Sequence, residues 1–469
     1  MERRAKIVAT IGPSCQDEAT LEKLIRAGMN VARLNFSHGT HAEHAERIAT
    51  IRRIAEKLGV AVGILQDLQG PKIRTGELMG KQLFLEDGQR IRITTRKVLG
   101  NKKMISIPYA ALPRLLKKGN LVLIDDGLIE LRVLKIEKGI VACRVVAGGL
   151  LGEHKGVNIP YVKIRGASLT LKDKRDLAFG IRHGVDFVAI SFVCDPNDIR
   201  KLKKRIPKSS PIGVIAKIEK PRAVNRIQQI LEHTDAVMIA RGDLGIEMGV
   251  EKIPAIQKRL IKFANDRKVP IITATQMLES MMHCPRPTRA EASDVANAVF
   301  DGTDAVMLSG ETAIGKYPVE AVRTMSRIIL EAESHVKESP ENGQQATKGS
   351  ELDAIVRAAK DAAHYLKAEA IVVFTVSGKT AVHISKLGSD LPIIVLTPSK
   401  EVQARLALLR GVKAFQISSR GTMDITLKEG DEFMIRNGLL KHQDTVIVVT
   451  GKRAFPEAKF MVKVHKVSS

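Results

Sequence analysis

Eight strand-length apolar runs recur between residues 6 and 310, and this repetition constrains the fold more than any other feature of the chain. In order they read KIVATIG (6–12), NVARLNF (30–36), AVGILQDL (61–68), DFVAISF (186–192), PIGVIAKI (211–218), AVMIARG (236–242), PIITAT (270–275) and DAVMLSG (304–310). Each is nearly all apolar, the pattern of parallel strands covered on both faces. Most are separated by segments with helical spacing of apolar residues, such as DEATLEKLIRAG, AEHAERIATIRRIAEKLG and PRAVNRIQQILEH. Eight β-α units predict an α/β fold built on a (β/α)8 TIM barrel.

The third unit is interrupted. After DLQGP, segments such as QLFLEDGQRIRITT and GIVACRVVAGG alternate apolar and polar residues between Gly and Asp turns, so an inserted all-β domain is expected. Its place after the third strand puts it at the barrel's C-terminal face, where it can close as a lid. The polar stretch ESHVKESPENGQQATKGSE (333–351) reads as a linker. Beyond it AIVVFTVSG, PIIVLTPS, VKAFQI, DTVIVVTG and KFMVKVHKV alternate with helices, predicting a separate open α/β domain. The expected division is 1–71 and 164–335 for the catalytic barrel, 72–163 for a β-barrel lid, and 350–469 for a C-terminal α/β regulatory domain.

Composition narrows the function. Apolar residues make up 44% of the chain, enough for large cores, but aromatics make up only 3%, so those cores are aliphatic. Cys15, Cys143, Cys194 and Cys284 form no C-x-x-C pair, which disfavours zinc and thioredoxin-like sites and fits free thiols in a reducing cytoplasm. No apolar stretch approaches the ~18 residues of a membrane span, and the N-terminal segment runs straight into a strand pattern without a signal-peptide core. The net charge of +24 is spread along the chain; with few aromatics for base stacking it reads as a basic surface, with no dedicated nucleic-acid binding and no membrane association.

In such a barrel, chemistry gathers at the C-terminal ends of the strands. Those ends carry Arg33, Asn35 and Ser37 (second strand), Asp67 (third), Ser191 (fourth), Lys217 and Glu219 (fifth), Arg241 and Asp243 (sixth), Thr275 and Gln276 (seventh), and Ser309 and Glu311 (eighth). Glu219 and Asp243 on adjacent strand ends suit Mg2+, which keeps waters and takes further oxygens from a substrate. Arginines suit phosphate, and a lysine beside a metal suits developing negative charge. Together they describe Mg2+-dependent phosphoryl transfer or enolate chemistry. A Mg2+–pyruvate aldolase-type barrel shares the paired acids but leaves the lid and the phosphate-binding set unexplained.

KIVATIGPS, MNVARLNFSHG, GPKIRTG, VIAKIEKP, VMIARGDLGIE, ITATQMLESM and PTRAEASDVANAVFDGTDAVMLSGETAIGKYP, in this order, resemble the pyruvate kinase family over essentially the whole chain. The resemblance implies a phosphotransferase of glycolysis that moves the phosphoryl group of phosphoenolpyruvate to ADP, giving pyruvate and ATP. It implies Mg2+ on Glu219 and Asp243, a second Mg2+ arriving with the nucleotide, and Mn2+ as a substitute. It implies Lys217 against the phosphoryl and the enolate oxygen, Arg33 on phosphate, and Arg74 acting from the lid side. Backbone N–H groups at Ala240, Arg241 and Gly242, with Asp243 and Thr275, would hold the substrate. Thr275 and Ser309 would serve the proton path, and Asn35, His38 and Arg74 the nucleotide. A cytoplasmic homotetramer is implied as well. His38, His41 and His44 are spaced by three, but no fourth zinc ligand is evident. His41 and His44 are expected as solvated helix residues.

The family's K+ ligands map to Asn35, Ser37, Asp67 and the carbonyl of Leu68. Where K+-requiring members read Asp-Thr-Lys-Gly-Pro-Glu, this chain reads Asp67-Leu68-Gln69-Gly70-Pro71-Lys72. Lys plus Glu carries no net charge, whereas Gln69 plus Lys72 carries one positive charge, as the missing K+ would. Lys72 is therefore expected to substitute for K+, which the resemblance to the K+-independent branch also implies. In the C-terminal domain, the turn of FTVSGKTAVHISK resembles the family's effector-phosphate loop, placing Thr375, Ser377, Gly378, Lys379 and Thr380 around the phosphate of a small-molecule effector. Lys452 and Arg453 are candidates for a second phosphate.

Overall fold

The computed structural model describes residues 3–160, 169–336, 350–388, 391–418, 422–451 and 460–468. All eight apolar runs are strands: β1 Lys6–Thr10, β2 Val31–Asn35, β3 Gly63–Asp67, β4 Phe187–Ile190, β5 Gly213–Ile218, β6 Ala236–Ala240, β7 Ile271–Ala274 and β8 Ala305–Leu308. Each pairs in parallel with its chain neighbours, and β8 closes on β1. Alternation explains the near-absence of polar positions. Val8, Val31, Leu65, Ile215, Met238, Ile272 and Met307 fill the barrel interior, while Ile7, Ala9, Ile64, Val214 and Val306 face the surrounding helices. Asp17, Thr40, Thr170 and Thr288 accept backbone N–H groups at helix starts, which sets where several return helices begin.

The interior cluster includes one residue from outside the barrel. Leu408, just after the helix Lys400–Leu406, packs with Val8, Val31 and Ile215 and is 1% exposed. Around it the Gly411 N–H donates to the Arg4 carbonyl at 2.9 Å, and a Cβ at Gly63 would meet the Ala404 carbonyl at 3.0 Å. The C-terminal domain thus supplies part of the barrel floor. A buried Lys386–Asp304 ion pair and a Lys6 Nζ bond to the Val412 carbonyl at 2.7 Å fasten the same interface.

The insertion after β3 is built of strands, with one short helix at Leu112–Leu115, around its own aliphatic core, including Leu85, Ile91, Ile105, Val122, Leu131 and Val141. Among the described residues its strands form a six-stranded sheet, in the order Val157–Asn158, Leu121–Ile124, Ile129–Glu137, Ile140–Ala147, Arg90–Thr94, Met104–Ser106, and a separate two-stranded sheet of Gln82–Leu85 with Gly149–Gly152. The ribbon breaks at Gly148, where the chains approach so closely that a Cβ would lie 2.2 Å from the Leu85 carbonyl oxygen. The expected boundary at 163–164 lies outside the described residues, as does most of the linker.

The C-terminal sheet runs Val412–Gln416, Ile393–Thr397, Ala370–Phe374, Thr445–Thr450, Met461–Lys466, parallel except for the last strand. Helices pack on it, as in an open α/β domain. Among the described residues no helix is long and apolar enough to cross a membrane. Replacing Leu408 by Ala removes a buried side chain from the barrel floor. It is expected to cost ~2–5 kcal/mol, read as a lower denaturation midpoint in urea with the C-terminal domain loosened from the barrel.

Candidate active site

Lys217 projects from the end of β5 and is only 12% exposed. Its Nζ lies 2.9 Å from Glu219 Oε1, 2.9 Å from Ser191 Oγ and 3.3 Å from Asp67 Oδ1. Arg33, from β2, reaches the other oxygen of Asp67: NH2 at 2.7 Å and Nε at 2.8 Å from Oδ2. Its NH1 donates to Thr10 Oγ1 at 2.9 Å. Glu219 Oε2 accepts the backbone N–H of Phe192 at 2.7 Å. Five consecutive strand ends thus meet in one polar knot above an apolar barrel.

Burial works against every charge in this knot, and the neighbours decide the outcome. Burial disfavours the Lys217 ammonium, but Asp67 and Glu219 outweigh it and raise its pKa above the ordinary lysine value. Burial disfavours ionised Asp67 too, yet Lys217 and Arg33 hold its carboxyl below the usual range. Glu219 goes the other way: burial, helped by the negative charge of Asp243, raises its carboxyl despite Lys217. A carboxylate destabilised in this way is relieved by a further cation. Asp243, half-buried in the first turn of the helix Arg241–Met248, forms no hydrogen bond or ion pair with a described residue and acts electrostatically on both Glu219 and Lys217. This acid pair fits Mg2+: few protein ligands, and one carboxylate without a partner among the described residues. Among the described residues no cluster of three or more His, Cys, Asp or Glu side chains forms a self-sufficient metal site.

Thr275 closes the far side. It is β-branched yet sits at φ +71°, and Gln276 follows at φ +54°, a conformation that needs outside support. Arg241 provides it. Its guanidinium donates to the Thr275 carbonyl at 2.8 Å and is held by Asp294 at 2.7 Å. The Arg241 side chain is therefore committed to the turn, leaving only its backbone to meet a ligand. Gly242 N–H donates to Thr275 Oγ1 at 2.8 Å. Ser309 Oγ, at the end of β8, is buried without a hydrogen-bond partner among the described residues.

On the lid side, Arg74 bridges to Gly156 through the backbone and donates to the His154 carbonyl at 2.8 Å. Lys72 stands at the hinge between barrel and lid. A Cβ at Gly156 would fall 3.6 Å from its Nζ, and Lys72 is not among the partners of Asp67. The other members of the monovalent-cation set are placed near Asp67: Phe36 N–H donates to the Asp67 carbonyl, Asn35 Oδ1 accepts the Ser37 N–H at 3.1 Å, and the Leu68 carbonyl accepts from Ser191 Oγ at 2.8 Å. His38 follows in the loop after β2, its N–H on the Asn35 carbonyl.

The reading of His44 as solvated is corrected, whereas His41 is exposed as expected. His44 is 1% exposed, stacked on Phe36 with ring centroids 4.0 Å apart, and burial lowers its pKa. His41 stacks on Phe179 and pairs with Asp176 at 2.8 Å. Both brace the loop that carries Asn35 and His38. Three supporting groups went unseen in the sequence. Thr10 ends β1 as the other site residues end their strands, and that position was its signal. Phe192, at φ +56°, turns its N–H onto Glu219. The lid residue Asn158 donates to Glu247, which pairs with Lys220 at 2.5 Å, one residue beyond Glu219. Nothing local in the sequence announces these last two.

In the C-terminal domain, Thr375 Oγ1 accepts the N–H of Gly378 (φ +80°) at the start of the helix Lys379–Lys386. Thr380 is buried, and a Cβ at Gly451 would lie 2.6 Å from its Oγ1. The adjacent Thr450 Oγ1 is buried without a partner among the described residues. The turn thus brings Thr375 and Gly378 together at the start of this helix. Lys452 and Arg453 lie outside the described residues.

Comparison with known proteins agrees with this geometry. The family model for the pyruvate kinase barrel domain matches residues 2–322, and that for the pyruvate kinase alpha/beta domain matches residues 353–465. The pyruvate kinase of Geobacillus stearothermophilus is 45% identical, covering 100% of this chain and 81% of its own length. That of Corynebacterium glutamicum is 44% identical, covering 96% and 94% respectively. The crystal structure of a pyruvate kinase from Cryptosporidium parvum superposes with a TM-score of 0.91 at 37% identity, covering 99% of this chain and 96% of that one. With both family models matched in order and relatives aligned along its length, the chain belongs to the pyruvate kinase family.

Proposed function

We propose that the chain is a phosphotransferase of glycolysis that converts phosphoenolpyruvate and ADP to pyruvate and ATP. The observation that carries this reading is the buried Lys217 ammonium held between Asp67 and Glu219 with the partnerless Asp243 beside them. The family generally uses Mg2+ and K+. Glu219 and Asp243 would hold Mg2+, with Mn2+ as a substitute and a second Mg2+ accompanying the nucleotide, supplying positive charge against the substrate's oxygens.

The chain's own groups do the rest. Lys217 and Arg33 offer fixed positive charge where the phosphoryl leaves and the enolate develops; they are preorganised by Asp67 and need little reorientation during reaction. Backbone N–H groups around Ala240, Arg241 and Gly242 orient the carboxylate. Arg74 meets the phosphoryl from the lid, and Asn35 and His38 lie toward the nucleotide. Thr275 sits at the face where the enolate carbon takes its proton, and the free Ser309 hydroxyl extends that proton path. The 1–71 and 164–335 barrel carries catalysis, the 72–163 lid excludes water, and the 350–469 domain regulates through a phosphorylated effector held at Thr375, Ser377, Gly378, Lys379 and Thr380. A cytoplasmic homotetramer completes the reading.

Lys72 is the resident cation in this proposal and removes the K+ requirement. The coordinated Gln69 and Lys72 pair supports it, as does the position of Lys72 five residues after Asp67, at the start of the insertion. Pyruvate formation with Mg2+ is expected at equal rates in K+-free buffer and in KCl at matched ionic strength. Lys72→Glu is expected to lose activity without K+ and regain part of it with K+; an unchanged K+-free rate would make Lys72 a bystander. Lys217→Met removes the central cation, and kcat is expected to fall ~100- to 1000-fold while the protein stays folded. A mutant with near-parental kcat would sink the assignment of Lys217.

A further inference from the structure

Beneath the barrel, one arginine joins the anion loop to the strands that carry the catalytic charges. Arg405, on the helix Lys400–Leu406, donates through NH2 to the carbonyl of Ser377, inside the loop, at 3.0 Å. Its NH1 donates to the carbonyl of Pro211, two residues before β5, at 2.6 Å. Its Nε is buried without a partner among the described residues. Two carboxylates act on this guanidinium, Asp235 and Asp186. Each grips the lower end of a catalytic strand. Asp235 Oδ2 accepts the N–H of Val214 on β5 at 2.8 Å, and Asp186 Oδ2 accepts the N–H of Ile64 on β3 at 2.6 Å.

The upper ends of these same two strands carry Lys217 with Glu219 and Asp67. Val214 and Lys217, like Ile64 and Asp67, are three residues apart, about 10 Å of stiff strand at ~3.3 Å per residue. Two other cations pair with the acids: Arg52 with Asp186 at 2.7 Å and Lys203 with Asp235 at 2.9 Å. Both belong to the barrel. Among these three cations, Arg405 alone comes from the C-terminal domain, and three residues later Leu408 enters the barrel core. Movement of this segment is therefore imposed on the barrel floor.

We propose that Arg405 is a positioning residue that couples occupancy of the Thr375–Thr380 loop to the setting of β3 and β5. This rests on the reading of that loop as an effector site. An anion seated there orders the loop and fixes the Ser377 carbonyl. Arg405 is then held between the Ser377 and Pro211 carbonyls, and the strands present Asp67, Lys217 and Glu219 in binding geometry. The two-state element is the loop, and both ligands bias it. Arginine is needed because its rigid fork serves two carbonyls in different directions while its charge acts on two carboxylates. The coupling acts on KM for phosphoenolpyruvate more than on kcat, because it sets the geometry that receives the substrate.

The test uses full-length protein with Arg405→Gln, Arg405→Lys and, as a binding control, Lys379→Ala. Steady-state rates are measured against phosphoenolpyruvate with ribose 5-phosphate, AMP or fructose 1,6-bisphosphate, and binding of each by calorimetry. In the parent, a bound probe is expected to lower KM ~5-fold or more. In Arg405→Gln the same probe should still bind while KM stays at its probe-free value and kcat is little changed; Lys379→Ala should lose binding itself. Arg405→Lys keeps the charge but loses one carbonyl bond, so a partial KM response is expected, and it carries the test if the Gln variant does not fold. A full KM response in either variant overturns the coupling and leaves Arg405 a structural tie. If no probe binds or shifts KM in the parent, the effector-loop reading fails and the coupling falls with it, an outcome distinct from probe binding with an undiminished response.

Discussion

The site depends on one interaction: a lysine ammonium buried between two carboxylates that are buried themselves. None of the three charges is tolerable alone in that place. Lys217 keeps its proton because Asp67 and Glu219 flank it, and Asp67 keeps its charge because Lys217 and Arg33 flank it. Glu219 is left short of positive charge because Asp243 adds a second negative one. The imbalance makes a divalent cation fit there. The charges stay fixed because they stand on neighbouring strands of a closed ring, where one cannot shift without disturbing the rest.

Strain is stored around this knot. Thr275 and Phe192 hold left-handed backbone that suits neither side chain, and each has a partner that maintains it: Arg241 for Thr275, Glu219 for Phe192. The apparent phosphate clamp at Arg241 is therefore better understood as scaffolding, since its guanidinium is bonded to carbonyls and to Asp294. The same logic holds at the floor, where Asp186 and Asp235 grip strand starts and the C-terminal domain contributes Leu408 to the core. The strand ends that carry the charges and the C-terminal domain meet through rigid strands, not through a flexible surface.

Much of this was legible in the chain. The eight strands could be read because parallel strands buried on both faces leave an unbroken apolar signature. The residues at their ends stood out because each polar residue there interrupts that signature. Thr10 was overlooked, although its position follows the same rule. His44 was misread because helical spacing reports which residues share a face, not what packs on it. Phe36, from another element, stacks on the His44 ring and buries it.

The sequence by itself determined the strand order, the inserted β domain, the C-terminal α/β unit and the identity of the charged groups at the strand ends, because these follow from local periodicity and side-chain chemistry. Only the tertiary structure decided which charges touch, that Arg241 serves the turn at Thr275, that Leu408 enters the barrel, and that Arg405 stands between Ser377 and the starts of β3 and β5. Those contacts join residues tens to hundreds of positions apart. No local pattern encodes them, because they arise only when the ring closes and the C-terminal domain packs beneath it.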